Sequence, residues 1–241
     1  MPRTSWTMIR DTLLHEIAEG VLRPGDRLPT EPQLAARFGA GRHSVRRAVD
    51  AMAMLGKVSI EQGRGTFVEE APRLTYTIGK RTRLRHNLLP QGCKVSGKLL
   101  GSAIVDAPAP VRRALDLEAG ARVVESQRLT LADEMPVAFG WTWHPADRFP
   151  DFATRRESLG STTETYRSYG VADYFRHETE LYARPAKAQE TTMLKQHPGL
   201  PVIVSHAVDV GPEGRPLSTS RVIWAAGRVK FIMTGTQDDR D

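Results

Sequence analysis

Ile9, Leu13, Ile17 and Val21 recur every four residues and predict an amphipathic helix over about Trp6 to Glu19. A two-turn helix carrying Leu34, Ala35 and Phe38 follows from Thr30-Glu31-Pro32-Gln33, where Thr30 caps, Gln33 reaches back and Pro32 is tolerated in the first turn. Gly39-Ala40-Gly41 ends it, and Ala40 to Leu55 winds into a third helix with unlike faces. At about 100° per residue, Val45, Ala48, Val49, Met52 and Leu55 fall on one side and Arg42, His43, Arg46, Arg47 and Asp50 on the other. Two β-prone runs, Val58-Ser59-Ile60 and Thr66-Phe67-Val68, then flank Gln62-Gly63-Arg64-Gly65 and predict a hairpin. Short helix, glycine turn, basic helix and hairpin form the order of a winged helix-turn-helix.

Beyond this module the pattern changes to β-rich runs broken by proline and glycine: Leu100 to Val105, Arg122 to Leu131, Val137 to Trp143, Glu178 to Ala183, Pro201 to Val210 and Pro216 to Ala225. Pro110 to Leu117, Thr162 to Tyr169 and Ala186 to Leu194 are the helical candidates. The expected fold class is α+β, an N-terminal winged helix-turn-helix followed by a mainly antiparallel sheet with helices. Residues 1–70 are expected as the DNA-binding domain, 71–98 as linker and lead-in, and 99–241 as a second domain, with Glu69-Glu70-Ala71-Pro72-Arg73 marking the boundary.

Charge sharpens this division. The formal net charge is +6, yet residues 1–70 hold 10 Lys/Arg against 9 Asp/Glu, while residues 71–105 hold 7 against none. A basic protein suits a polyanion partner, but the balanced first domain must bind by placement of charge. The single cysteine, Cys93, excludes an internal disulfide framework and a zinc site built from several thiolates; no metal or other cofactor is expected. No run approaches the length of a membrane span and no signal-peptide core opens the chain, so a soluble, cytoplasmic protein without membrane contact is expected.

The chemistry follows from the residue types. Arg42, His43, Ser44, Arg46 and Arg47 on the basic helix, Thr30 and Glu31 at the preceding helix start, and Gln62, Gly63, Arg64 and Gly65 at the hairpin tip are the candidate DNA-binding residues, with Arg64 suited to the minor groove. The glycines at the tip also begin a G-x-G-x-x pattern, but no strand-to-helix transition follows to make a nucleotide site. Arg83, Arg85 and Asn87 lie in the acid-free stretch, where guanidinium groups suit bidentate capture of phosphate or phosphonate; solvated pairs or interdomain salt bridges are the competing use. The seven histidines never fall three or four apart, and H-E-x-x-H, G-x-S-x-G and P-loop patterns are absent, so an enzyme is not expected. One short recognition helix covers few base pairs, which points to a homodimer on a two-fold double-stranded DNA operator.

Residues 7–69, notably Leu22-Arg23-Pro24-Gly25-Asp26-Arg27-Leu28-Pro29-Thr30-Glu31, Leu34-Ala35-Ala36-Arg37-Phe38-Gly39 and Gln62-Gly63-Arg64-Gly65-Thr66-Phe67-Val68, resemble the DNA-binding domain of the GntR family of bacterial transcription factors. Arg128-Leu129-Thr130-Leu131-Ala132-Asp133, Pro145 to Pro150 and Gly214 to Ser220 resemble the sensor (UTRA) domain of its HutC-type branch, whose fold is similar to chorismate lyase. Arg42 to Ala48, Arg85 to Gly92 and Asp173-Tyr174-Phe175-Arg176 are similar to the phosphonate-metabolism regulators, the PhnF group. The resemblance implies a ligand-responsive repressor in which residues 99–241 form the effector-binding and dimerisation domain and supply most of the dimer contact. It also implies a small anionic effector, such as phosphate, phosphonate or a related metabolite, or a different small anion of another catabolic pathway. Arg83, Arg85, Asn87, Arg128, Tyr174 and Arg176 are the candidate effector residues; Tyr174 and Asp173 shape the site or pack the sheet. Sugar-phosphate sensors of the branch often carry acids where Gly140 and Ser218 stand and a second arginine at Thr130, which argues against an amino-sugar ligand here.

Overall fold

The computed structural model describes residues 5–61, 63–69, 74–81 and 87–233. Contacts divide the chain into two compact units, residues 1–73 with 185–201, and residues 74–184 with 202–241. In the first, α1 (Trp6–Ala18), α2 (Glu31–Phe38) and α3 (Arg42–Met54) enclose a core of Ile9, Leu13, Leu28, Leu34, Val45, Ala48, Val49 and Met52. Ser5 caps α1 through its hydroxyl, which accepts from the Met8 amide. The Gln33 side chain accepts from the Thr30 amide at 2.8 Å, as the capping pattern predicts. Gly39 takes the left-handed conformation, φ 57°, that ends α2.

Two apolar expectations fail at helix ends. Val21 lies past the end of α1 and is exposed, and Leu55 is the C-cap of α3 and exposed, because each follows the last turn that faces the core. The hairpin is formed by β1 (Val58–Glu61) and β2 (Gly65–Val68), in register from Val58 opposite Val68 to Glu61 opposite Gly65. Arg27 bridges to Phe67, and the Leu28 amide donates to the Thr66 carbonyl, so the segment before α2 adds a third edge to this wing. In the same unit, α7 (Ala188–Leu194) begins after Pro185.

The second unit is built on a six-stranded antiparallel sheet in the order β4-β5-β6-β9-β8-β7. Its strands are β4 (Val95–Asp106), β5 (Arg122–Ala132), β6 (Met135–Pro145), β7 (Phe175–Pro185), β8 (Pro201–Val210) and β9 (Pro216–Ala225). The β5–β6 turn is two residues, Asp133 and Glu134, both with positive φ, which is the type I′ geometry that matches strand twist. The helices of the unit are α4 (Ala109–Ala114), α5 (Phe152–Leu159) and α6 (Thr162–Ser168). Helix α4 stops three residues short of the expected Leu117, since Leu115 already caps it and Asp116 turns to positive φ.

Among the described residues, three elements of five residues or more lie outside the expectation. β3 (Leu74–Ile78), within the 71–98 stretch, pairs in parallel with β10 (Val229–Met233) across almost the whole chain. Helix α5 is the third; its only buried residues are Phe152 and Ala153, so it carries little periodic signal. Phe152 joins Phe149, Tyr166, Val171, Tyr174 and Leu217 in a buried aromatic cluster that fastens α5 and α6 to the sheet. Among the described residues, no helix is long and apolar enough to cross a membrane.

Candidate nucleic-acid interface and effector site

The packing face of α3 is fully buried at Val45, Ala48 and Met52, which fixes the helix by its apolar side and leaves Arg42, His43, Arg46 and Arg47 exposed on the other. Ser44 is half-buried between the two faces. Arg46 makes a two-pronged pair with Glu31 at the start of α2, Nε to Oε1 at 3.2 Å and Nη2 to Oε2 at 3.0 Å. That fork is the one a guanidinium can offer a guanine edge, and Glu31 holds Arg46 extended in it. Thr30 is committed to the cap, its hydroxyl 2.9 Å from Gln33 Oε1. Arg47 lies over the Trp6 ring, 4.4 Å from its centroid, and Arg10 lies over the same ring at 5.2 Å, so Arg47 braces α3 against α1 from the edge of the basic face.

At the wing tip Arg64 pairs with Glu61 and lies over Phe67. Gly65 has φ +127°, and a Cβ there would fall 2.6 Å from Arg27 Nε, so only glycine allows Arg27 to pass beneath the tip. Gly63 also has positive φ. Gln62 lies outside the described residues, as do Arg83 and Arg85 of the expected effector set.

Of the other effector candidates, Asn87 is occupied. Its Oδ1 accepts from the Thr77 amide at 2.8 Å and its Nδ2 donates to the Thr77 carbonyl, which pins the segment to β3 as a further strand would. Arg128 on β5 pairs with Glu157 of α5 and donates to the Gly97 carbonyl at 3.2 Å. Arg176 on β7 bonds Asp209 at 2.7 Å and Thr179 at 3.1 Å. Tyr174 is buried against Tyr166, their ring centroids 4.8 Å apart. The competing use therefore claims Arg128 and Arg176 in part, since each already has a carboxylate.

One sheet face carries Arg128, Gly140 and Val222 in a single register row across β5, β6 and β9. A Cβ on Gly140 would fall 2.4 Å from the Arg221 carbonyl oxygen and 2.7 Å from Val222 Cα. The acidic side chain that sugar-phosphate sensors place there has no room at this strand spacing. Ser218 is also occupied, accepting from the Tyr166 hydroxyl at 3.0 Å.

Sequence reasoning passed over the groups beside these residues: Glu157, Asp209, His144 and Arg156. The adjacent Arg155-Arg156-Glu157 triplet was the available signal, in a stretch without helical periodicity. His144 is stacked on Phe152 at 3.7 Å, its Nε2 3.2 Å from the Tyr166 hydroxyl and its Nδ1 buried without a partner. Because Tyr166 donates to Ser218, the network assigns the imidazole proton to Nε2. Burial, helped by the Arg156 charge, pulls His144 down to about 3. A folded-state pKa below the unfolded value of 6.5 leaves stability intact above pH 6.5 and erodes it as pH falls toward 3. Unfolding of the sensor unit should therefore become easier by about 2 kcal/mol between pH 6.5 and 4.5. Chemical denaturation at both pH values checks this against His144→Phe, whose slope should be shallower; equal slopes would remove His144 as the source.

The fold and its exposed cationic helix define a winged helix-turn-helix DNA-binding protein joined to a sensor-like sheet domain. The model of the bacterial regulatory proteins, gntR family, matches residues 6–68, and that of the UTRA domain matches residues 90–230. The chain belongs to the gntR family, in the branch whose second domain is a UTRA domain. An uncharacterized HTH-type transcriptional regulator of Rhizobium meliloti is 37% identical, with 94% of this chain and 93% of that protein aligned. The probable transcriptional regulator PhnF of Escherichia coli is 29% identical over 88% of this chain and 87% of its own length. PhnF from Mycobacterium smegmatis shares the fold, with a TM-score of 0.63 at 22% identity over 95% of this chain and 99% of that one. These relatives are transcriptional regulators, not enzymes, and the lyase-like sheet serves regulation here.

Proposed function

We propose that the chain is a ligand-responsive repressor, working in the bacterial cytoplasm as a homodimer on an inverted-repeat operator. Its effector is a small phosphate, phosphonate or related metabolite whose uptake or metabolism it controls. The observation that carries this reading is the exposed row Arg42, His43 and Arg46 on a helix whose other face is fully buried. A short helix of this kind reads a few base pairs, and a two-fold operator matches two copies. The anionic effector is supported by the guanidiniums of Arg128 on β5 and of Arg176 on β7, the latter close to Tyr174, together with the similarity to the PhnF proteins.

An effector acts only through unequal affinity for the states that bind and do not bind DNA. Fluorescence anisotropy of a labelled promoter fragment should therefore fall when methylphosphonate or phosphate is added to the wild-type complex. Arg128→Ala should retain DNA binding and lose that response; an unchanged response removes Arg128 from the effector site. A second reading, regulation of another catabolic pathway through a different small anion, is favoured by Glu157 and Asp209, which would accept from hydroxyl or amine groups of a larger ligand. A panel of hydroxylated carboxylates in the same titration separates the two.

A further inference from the structure

Several guanidiniums in the sensor unit have a visible counter-charge. Arg128 has Glu157, Arg148 has Glu213, Arg155 has Asp151, Arg167 has Glu164 and Arg176 has Asp209. Arg156, next in the chain to the Glu157 of one such pair, is not among them. It is half-buried on α5, and among the described residues its side chain makes no hydrogen bond or ion pair. Its electrostatic neighbours are Arg128, Glu157, Tyr166 and Tyr174, together with the neutral ring of His144. Burial and the repulsion of Arg128 pull Arg156 down to about 10, which still leaves it charged at neutral pH.

A half-buried guanidinium with no carboxylate of its own is incompletely compensated, and a second cation nearby raises its free energy further. Such an arrangement is stable only if the rest of the fold holds it, and a mobile anion relieves it. The adjacent pair supplies the exchange. Glu157 is exposed, and it lies on the same helix as Arg156 while neutralising Arg128. If an incoming anion takes the place of the Glu157 carboxylate, two guanidiniums face it with no acid between them. A dianion then balances the site, whereas a monoanion leaves one charge over.

We propose that Arg156 is the principal anion anchor of the sensor, and that with Arg128 it binds the dianionic head of a phosphonate or phosphate monoester as Glu157 swings out to solvent. This deepens the effector reading above and rests on it. Two forks on one head also explain selectivity for an oxyanion with several equivalent oxygens over a single carboxylate.

The test uses the full chain, with methylphosphonate, inorganic phosphate and acetate as probes, read by thermal melting and calorimetric titration. In phosphate-free buffer Arg156→Met should melt at or above the wild-type temperature, because it removes an unpaired charge and keeps the packing of the stem. The same variant should bind methylphosphonate and phosphate roughly ten- to a hundredfold more weakly and lose their stabilising effect. Glu157→Gln should bind both more tightly than wild type, since the competing carboxylate is gone. Acetate should stabilise wild type least.

A lower melting temperature for Arg156→Met would give Arg156 a structural role and overturn the proposal, as would anion binding equal to wild type in that variant. Weaker binding in Glu157→Gln would overturn the exchange step. If wild-type protein binds neither phosphorus oxyanion, the anionic-effector reading falls together with this assignment. Binding that survives in Arg156→Met removes this assignment alone.

Discussion

Replacing Arg46 by alanine is expected to weaken binding to the operator roughly ten- to a hundredfold, with the loss concentrated at one base position of each half-site. Arg46 lies on the exposed face of α3, and its guanidinium is already spread in the two-pronged geometry by Glu31. Pre-extension reduces the rotamer freedom lost on contact with a base edge. Lysine at the same position would keep the charge and lose the fork, so Arg46→Lys should recover affinity for random DNA but not the preference for operator. Competition binding at two salt concentrations distinguishes these effects. Equal loss on operator and random DNA would make Arg46 a phosphate contact, and unaltered operator affinity would remove it from the interface.

The same pair illustrates what sequence can and cannot display. The helices and hairpin of the first unit are fixed by neighbours close along the chain. Thr30 and Gln33 are three residues apart, and the apolar face of α3 repeats within one helix, so both were visible in the pattern. Glu31 was visible as a residue but not as the carboxylate that extends Arg46 fifteen residues on. In the sensor unit the decisive pairings reach further. Arg128 and Glu157 are 29 residues apart and Arg176 and Asp209 are 33 apart, and which acid reaches which base depends on strand order. Asp133 and Glu134 turn a hairpin that usually calls on asparagine or glycine. Strand β3 pairs with a partner at the other end of the chain, a non-local contact that no local period announces. Asn87 looked like a ligand group because it is polar beside arginines, yet its amide mimics a peptide and completes the β3 edge. Helix α5 was missed for the same reason that it is useful. A helix anchored by two residues at its start leaves Arg156 and Glu157 free to serve charge chemistry instead of packing.

That anchoring sets the second large effect. Phe152→Ala should destabilise the sensor unit by about 3–5 kcal/mol, the usual cost of emptying a fully buried phenylalanine site. Phe152 is 2% exposed, stacks on His144 at 3.7 Å, and meets Phe149 and Tyr166 with ring centroids 5.8 and 4.9 Å away. Loss of the ring opens a cavity that rigid aromatic neighbours fill poorly, and it loosens the start of the helix that carries Arg156 and Glu157. The core of the DNA-binding unit shares no residue with this cluster, so operator binding below the melting transition should persist while the response to anions disappears. Denaturant unfolding with the midpoint and slope read separately gives the stability change. A cost below about 1 kcal/mol would mean that Tyr166 and Tyr169 collapse into the space, a relaxation outside the ordinary range for such cavities. A full cost with an intact anion response would show that the charged turn of α5 is positioned by its ion pair with Arg128, and that the aromatic cluster supplies stability alone.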